Sequence, residues 1–372
     1  MYLSPKQKRN LSRIFPFGVI WLVLSWIFLL YDYTLKQNEI QNPETDITLT
    51  WPVFIFANFM ITLTGLLVGT LEIVILEKYF KRFSLGKKIF YKFLTYLLFI
   101  LVIISIAFPI AASIEANTSL LDGEIWAKLG RYFLSYTFLN TIVMLAFFIL
   151  ISIFYAAISE NLGHQVLRNF FTGKYHQPTF EKRVFMFLDM KDSTTIAEKL
   201  GHMEYFNLLK DYYDMMSASI VDHLGEVYQY IGDEIVISWS LKSAFYQNNC
   251  IAVFEALKNS LKKSEARFMK TYGYLPDFKA GVHLGEVTIG EIGALKKEIV
   301  FSGDVLNTTA RIQALCKEYH EDLIISEELL GKLTTSENWE AKLLGEIQLR
   351  GKSIPTEIHA VRFVSLAEPA NA

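Results

Sequence analysis

Cysteine is almost absent: Cys250 and Cys316 are the only two in 372 residues, and both fall in the second half. Two thiols cannot build a disulfide framework, and such scarcity suits a reducing compartment. A strong charge of either sign is also missing. Lys and Arg total 36 against 38 Asp and Glu, a formal net charge of −2. Nothing in that balance points to a nucleic-acid partner. No internal repeat and no low-complexity segment occurs, so neither a solenoid nor a compositionally driven disordered chain is expected.

Apolar residues, by contrast, are plentiful. They make up 52% of the chain, with 29 Phe, and they crowd into the part before residue 160. Four runs stand out, at about 14–31, 51–76, 93–114 and 132–158. Each can cross a hydrocarbon core of ~30 Å as a helix. The first is too long for a simple signal peptide, and a polar segment without a small-residue cleavage pattern follows it. Lys6, Lys8, Arg9 and Arg13 precede the first run, and Lys78, Lys81, Arg82, Lys87, Lys88 and Lys92 fill the second loop. Segments 32–50 and 115–131 are acidic or mixed. The positive-inside rule therefore predicts a multi-pass protein of the inner (plasma) membrane, with lipid around its spans. Its N-terminus and everything after residue 158 would be cytoplasmic. Trp21, Trp26, Trp51, Tyr31 and Tyr33 supply interface anchors. In the second run Gly65 and Gly69 form a small-xxx-small pair that suits a helix–helix contact, and Glu72 follows a turn later. Such pairs arise often by chance, and Glu72 is near enough to the cytoplasmic end to snorkel, so neither is assigned a role.

Residues 159–181 read as a polar connector with Gly173 and Pro178, and 182–366 as an ordinary globular domain closed by a tail at 367–372. A strand-length apolar run, Val184 to Leu188, ends at Asp189; Asp192, Ser193 and Thr194 then offer a helix N-cap, with a break near Gly201. A hairpin pattern follows, with strands at 226–231 and 235–239 around Gly232-Asp233. Further on, the patterning predicts a helix over 243–272 and strands over 276–284, 286–291 and 298–302, the first two separated by a turn at Gly285. A helix over 304–317, a strand over 322–325, a short helix over 326–333 and closing strands near 344–349 and 357–363 complete the chain. The mixture predicts an α+β domain with helices on one sheet face, preceded by an all-α domain of four transmembrane helices.

Two carboxylates sit at strand edges, Asp189 and Asp233. If their strands pair, both emerge at one end of the sheet, where hard divalent cations find the oxygen ligands they need. Turn chemistry explains either residue alone; together, with the N-cap cluster offering N–H groups to phosphate, they suggest a site. Asn307 and Arg311 are four residues apart and share one helix face.

Phe187-Leu188-Asp189-Met190-Lys191-Asp192-Ser193-Thr194 resembles the first metal-binding motif of class III adenylyl and guanylyl cyclases, and Tyr230-Ile231-Gly232-Asp233-Glu234-Ile235-Val236 resembles their second. Gly303 to Arg311 is similar to their transition-state motif, and Arg350-Gly351-Lys352 to their phosphate-contacting lysine segment. The resemblance implies a ferredoxin-like βαββαβ catalytic domain. It also implies that Asp189, Asp233 and the Met190 carbonyl hold two Mg²⁺ or Mn²⁺ ions, with Ser193, Thr194 and Lys352 on the phosphates. Asn307 would place the ribose, and Arg311 would stabilise the pentavalent α-phosphate. It further implies a homodimer, with each chain giving metal carboxylates to one site and the Asn/Arg pair to the other. The family's base-selecting positions are Gln229 and Val300 here, which match neither the adenine nor the guanine pattern; Lys279 on the neighbouring strand is a third candidate. A nucleoside triphosphate is the expected substrate, with ATP ahead of GTP and of the pyrimidine triphosphates that some relatives cyclise. A catalytically silent cyclase-like module is disfavoured because the aspartates, Asn307 and Arg311 are all present. The double-glycine signature of diguanylate cyclases is absent, and the spans lack the broken-helix pattern of a transporter.

Overall fold

The computed structural model describes residues 4–35, 42–76, 79–80, 83–295, 297–348 and 355–364. Lys78, Lys81, Arg82, Lys352 and the tail 367–372 lie outside them, as do the side chains of Tyr31 and Tyr33. The chain divides into two units, Gln7–Phe171 and a second that begins at Thr172.

The first unit is helical: α1 Pro5–Leu35, α2 Trp51–Thr70, α3 Leu85–Ala116, α4 Gly123–Phe133 and α5 Tyr136–Leu162, followed by α6 His164–Thr172. Four stretches are long and apolar enough to cross a membrane: Pro5–Leu30, Trp51–Leu76, Gly86–Ala116 and Tyr136–Leu162. Pro5–Leu30 and Gly86–Ala116 outrun their apolar runs because polar flanking residues continue the helix, whereas Trp51–Leu76 coincides with its run and Tyr136–Leu162 starts and ends four residues later. Phe17, Trp21, Val68, Tyr96 and Phe148 form the centre of the packing. The glycine pair of α2 is used within the chain. A Cβ on Gly65 would lie 2.8 Å from the Phe17 carbonyl and from Trp21 Cβ, and one on Gly69 would lie 2.9 Å from the Phe17 ring. Small residues thus seat α1 on α2. Trp21 Nε1 donates to Ser152 Oγ at 2.9 Å, tying α1 to α5. Glu72 does not snorkel. It is buried in a π-helical turn, Leu71–Leu76, where it accepts from the Lys92 ammonium and the Tyr96 hydroxyl of α3.

The second unit is built on a sheet. Its strands are β1 Thr179–Met190, β2 Glu226–Ile231, β3 Glu234–Ser240, β4 Phe278–Ile292, β5 Glu298–Ser302, β6 Leu323–Ser326, β7 Trp339–Ile347 and β8 Thr356–Phe363. They lie in the order β2-β3-β1-β4-β6-β8-β7, with β5 paired to β4. Its helices are α7 Ser193–Asp222, α8 Leu241–Phe245, α9 Asn249–Tyr272, α10 Asp304–Glu318 and α11 Glu327–Leu330. The sequence β1-α7-β2-β3-α9-β4, with β1 and β4 central and antiparallel, is the ferredoxin-like βαββαβ arrangement. β1 is central because its second half is apolar on both faces, a run a two-sided core requires.

Helices cover both sheet faces rather than one. Val184, Met186 and Leu188 point toward α7 and α9, while Phe185 and Phe187 share a cluster with Val305 of α10. The turn expected at Gly285 is absent, and β4 runs unbroken through it for 15 residues. That glycine serves packing instead: a Cβ there would sit 2.8 Å from Val305 Cβ. The break at Gly201 is present, with φ of 75°.

Candidate active site

Asp189 closes β1 on the face that α10 covers, the same side as Phe185 and Phe187. In the ladder it stands opposite Glu234 of β3 and Lys279 of β4, so three charged side chains lie abreast at one sheet end. Gln313 of α10 donates from Nε2 to Asp189 Oδ2 at 3.1 Å, and Lys279 Nζ is 3.5 Å from the same oxygen. The turn between β2 and β3 brings Asp233 beside them, close enough for its charge to act on Asp189. Gly232, at φ of 63°, makes that turn, and Tyr213 of α7 donates its hydroxyl to the Gly232 carbonyl at 2.8 Å.

Carboxylates gathered this way repel one another. Burial, then the Asp233 charge, raises Asp189 above the ordinary aspartate range, with Lys279 working against both. Glu234 is pushed up to about 7 by burial and by Asp189 and Asp233. A half-buried acidic group with one lysine for compensation fits hard divalent cations, which take carboxylate oxygens. The donor chemistry therefore suits the metals implied by the motif. Glu234 is an addition that sequence reasoning did not weigh as a site residue, although it adjoins Asp233. Gln313 was equally hidden, since only the packing of α10 shows that it reaches Asp189.

An open cleft of about 560 Å³ adjoins the carboxylates, lined by Asp189, Met190, Ser193, Thr194, Lys279 and Lys317 among others. Ser193 and Thr194 begin α7, whose leading N–H groups lack intrahelical partners. Asp192 precedes them in the left-handed region at φ of 55°. The loop is held by a ring of alternating charge. Lys191 Nζ binds Asp277 Oδ2 at 2.7 Å and also Asp322, and Lys258 Nζ binds Asp322 Oδ2 at 2.8 Å and also Asp277. The adjacent Cys316 is buried, which pushes its thiol up to about 12 and leaves it inert.

The other expected residues lie elsewhere. Asn307 and Arg311 are exposed on α10. Arg311, two residues before Gln313, projects about 160° away from it around the helix axis. Gln229 is exposed on β2, the edge strand of the sheet. Val300 is part-buried on β5, opposite Gly290. Lys279 is engaged with Asp189, and Lys352 is outside the described residues.

The family profile described as "Adenylate and Guanylate cyclase catalytic domain" matches residues 175–362. The chain belongs to this cyclase family. Among curated relatives, Adenylate cyclase 2 of Rhizobium meliloti (strain 1021) is 34% identical over 201 residues, 54% of this chain and 55% of that protein. Adenylate cyclase 1 of the same organism is 26% identical over 202 residues, 50% of this chain and 29% of that protein. The chain thus spans about half or less of these cyclases. In fold, a bacterial light-regulated adenylyl cyclase superposes with a TM-score of 0.51 at 22% identity, covering 61% of this chain and 65% of that one.

Proposed function

We propose that this chain is a membrane-anchored nucleotide cyclase that acts as a homodimer and converts ATP to 3′,5′-cyclic AMP and pyrophosphate. The ribose 3′-oxygen, losing its proton, forms a bond to the α-phosphorus, and the bond from that phosphorus to the β-bridging oxygen breaks. Divalent cations held by Asp189, Asp233 and the Met190 carbonyl would activate the attacking oxygen and neutralise the phosphates. In this reading Ser193, Thr194 and Lys352 bind phosphate. Asn307 orients the ribose, and Arg311 balances the charge that builds on the α-phosphate.

One observation carries the proposal. Gln313 turns one side of α10 toward Asp189 while Arg311 looks the opposite way into solvent. A single chain therefore presents two half-sites, and a two-fold pair would complete both. The membrane unit then has a physical role: it sets how two catalytic units meet, through a connector over 159–181 whose His164–Thr172 part is helical. The flanking basic residues support a cytoplasmic placement of the N-terminus and the cyclase unit, although Lys92 is spent on Glu72. Because Gln229 and Val300 fit neither purine pattern, a cyclase using a pyrimidine triphosphate (UTP or CTP), or GTP, is the second reading.

The test is an assay of the detergent-solubilised chain with each ribonucleoside triphosphate and Mn²⁺, with products identified by mass. Cyclic AMP from ATP is expected, and Asp233→Ala should abolish it. Co-expressing Asp233→Ala with Arg311→Ala should restore about a quarter of wild-type activity, because random pairing gives half the dimers one intact site. No product from any nucleotide would refute the cyclase reading, and no restoration would refute the shared site.

A further inference from the structure

Away from the carboxylates just described, a second set of ligating groups gathers where β6 runs into α11 beside the start of β8. Glu327 of α11 and Glu357 and His359 of β8 have ligand atoms that all lie within 4.8 Å of one another. His359 is 8% exposed, and its Nε2 is buried without a hydrogen-bond partner. Glu327 Oε2 lies 2.6 Å from that nitrogen, yet off the axis along which a ring N–H would donate. A buried ring nitrogen left without a bond is costly unless something else engages it. Two atoms this near that do not share a proton are disposed to share an ion.

The local charge points the same way. Glu346 of β7 stands directly opposite Glu357 in the β7–β8 ladder, a like-charge pairing that destabilises a sheet. Among the described residues, no Lys or Arg forms an ion pair with Glu327, Glu346 or Glu357. Glu328, next along, turns instead toward His283, whose Nε2 is 3.8 Å from its Oε2. The cluster therefore holds several carboxylates and one imidazole without a compensating cation of its own.

We propose that Glu327, Glu357 and His359 form a binding site for a transition-metal dication, Zn²⁺ by preference. An imidazole with two carboxylates is a borderline donor set that suits Zn²⁺ and its first-row neighbours, whereas Mg²⁺ and Ca²⁺ favour all-oxygen surroundings. Three protein ligands leave a fourth position for water or for Glu346. A bound ion would relieve the repulsion between Glu346 and Glu357 and pin the start of β8 to the β6–α11 corner. The site is independent of the cyclase reaction, and its ligands come from different residues than the Asp189 group.

The full chain, freed of any affinity tag and carrying Asp189→Asn and Asp233→Asn to silence the first site, would be dialysed free of metal and titrated with Zn²⁺ in excess Mg²⁺. One equivalent bound per chain is expected, measured by elemental mass spectrometry, with Co²⁺ giving the visible spectrum of nitrogen–oxygen ligation. Glu327→Gln and Glu357→Gln are exposed, near-isosteric changes that should leave the circular dichroism unaltered. Each should weaken binding roughly tenfold or more, given that loss of even a supporting residue costs that much at metal sites. His359→Ala should abolish the Co²⁺ spectrum. Absence of Zn²⁺ binding, or binding unchanged in both glutamine variants, would overturn the proposal.

Discussion

Lys279 stands directly across the β1–β4 ladder from Asp189, with its ammonium 3.5 Å from Oδ2. Its charge offsets burial and the Asp233 charge at the centre of the cyclase unit.

Replacing Lys279 with Met should therefore act through Asp189. The change removes what holds the Asp189 carboxyl down, so that carboxyl ionises only at higher pH. The acidic limb of the pH–rate profile should move to higher pH, with a larger fractional loss of activity at its acidic end than at its alkaline end. A changed preference among nucleotides with an unmoved profile would assign Lys279 to the base instead.

Glu234 sets a second pH dependence, this time in stability. Its folded value of about 7 lies above the ordinary glutamate value of 4.5. A raised acid contributes stability that is complete below the unfolded value and is lost as pH rises through the folded one. Without metal, the cyclase unit should therefore weaken between about pH 4.5 and 7. The loss should be on the order of 1–2 kcal/mol once solvent screening of a half-buried group is allowed for. Thermal unfolding in EDTA across that range should show the decline, and Mn²⁺ should flatten it. A midpoint that rises with pH in EDTA would contradict the assignment.

Much of this unit is legible in the sequence, for reasons that single residues make clear. Asp189 and Asp233 announce themselves because apolar runs place them at strand ends, a local property. Asn307 and Arg311 are singled out only by the resemblance of Gly303 to Arg311 to the cyclase transition-state motif, because a four-residue spacing on a helix fits a surface Arg and a capping Asn equally well. What is hidden depends on register or on distant packing. Lys279 meets Asp189 only because of how β1 and β4 align, and Gln313 reaches it only because α10 lies on that face. Gly285 reads as a turn because a glycine in a strand pattern signals either a turn or a close approach, and only the neighbour, Val305, decides which. Glu327 and His359 are brought together by the β6–β8 pairing, which no local pattern reveals.

Glu72 likewise reads as a residue able to snorkel, yet it is buried against Lys92 and Tyr96. Removing one member of a buried ion pair leaves the other uncompensated, at about 3–5 kcal/mol. Lys92→Met should therefore sharply lower the thermal stability of the detergent-extracted protein, followed by size-exclusion chromatography after heating. Glu72→Gln in the same chain should recover most of the loss, because no bare charge remains. A double variant as unstable as the summed singles would show that the two side chains do not act as a pair.

The seat of α10 on the sheet gives the sharpest link between packing and chemistry. A Cβ on Gly281 would lie 2.3 Å from the backbone N of Gln313 and 2.7 Å from its Cα. Backbone atoms cannot swing aside as a side chain can, so Gly281→Ala must push the helix off β4. Overpacking of this kind costs about 1–3 kcal/mol. The functional loss should exceed that, because the displaced helix carries Gln313, which steadies Asp189, together with Asn307 and Arg311. A shift of about 1 Å in such groups reduces turnover by 10–100-fold. Gly290→Ala is the matched control on the same strand, since its Cβ would meet Pro178 at an ordinary 3.4 Å. Measured well below the unfolding midpoint, kcat should fall in Gly281→Ala and hold in Gly290→Ala. Equal kcat in the two variants would mean that α10 does not position the reacting groups.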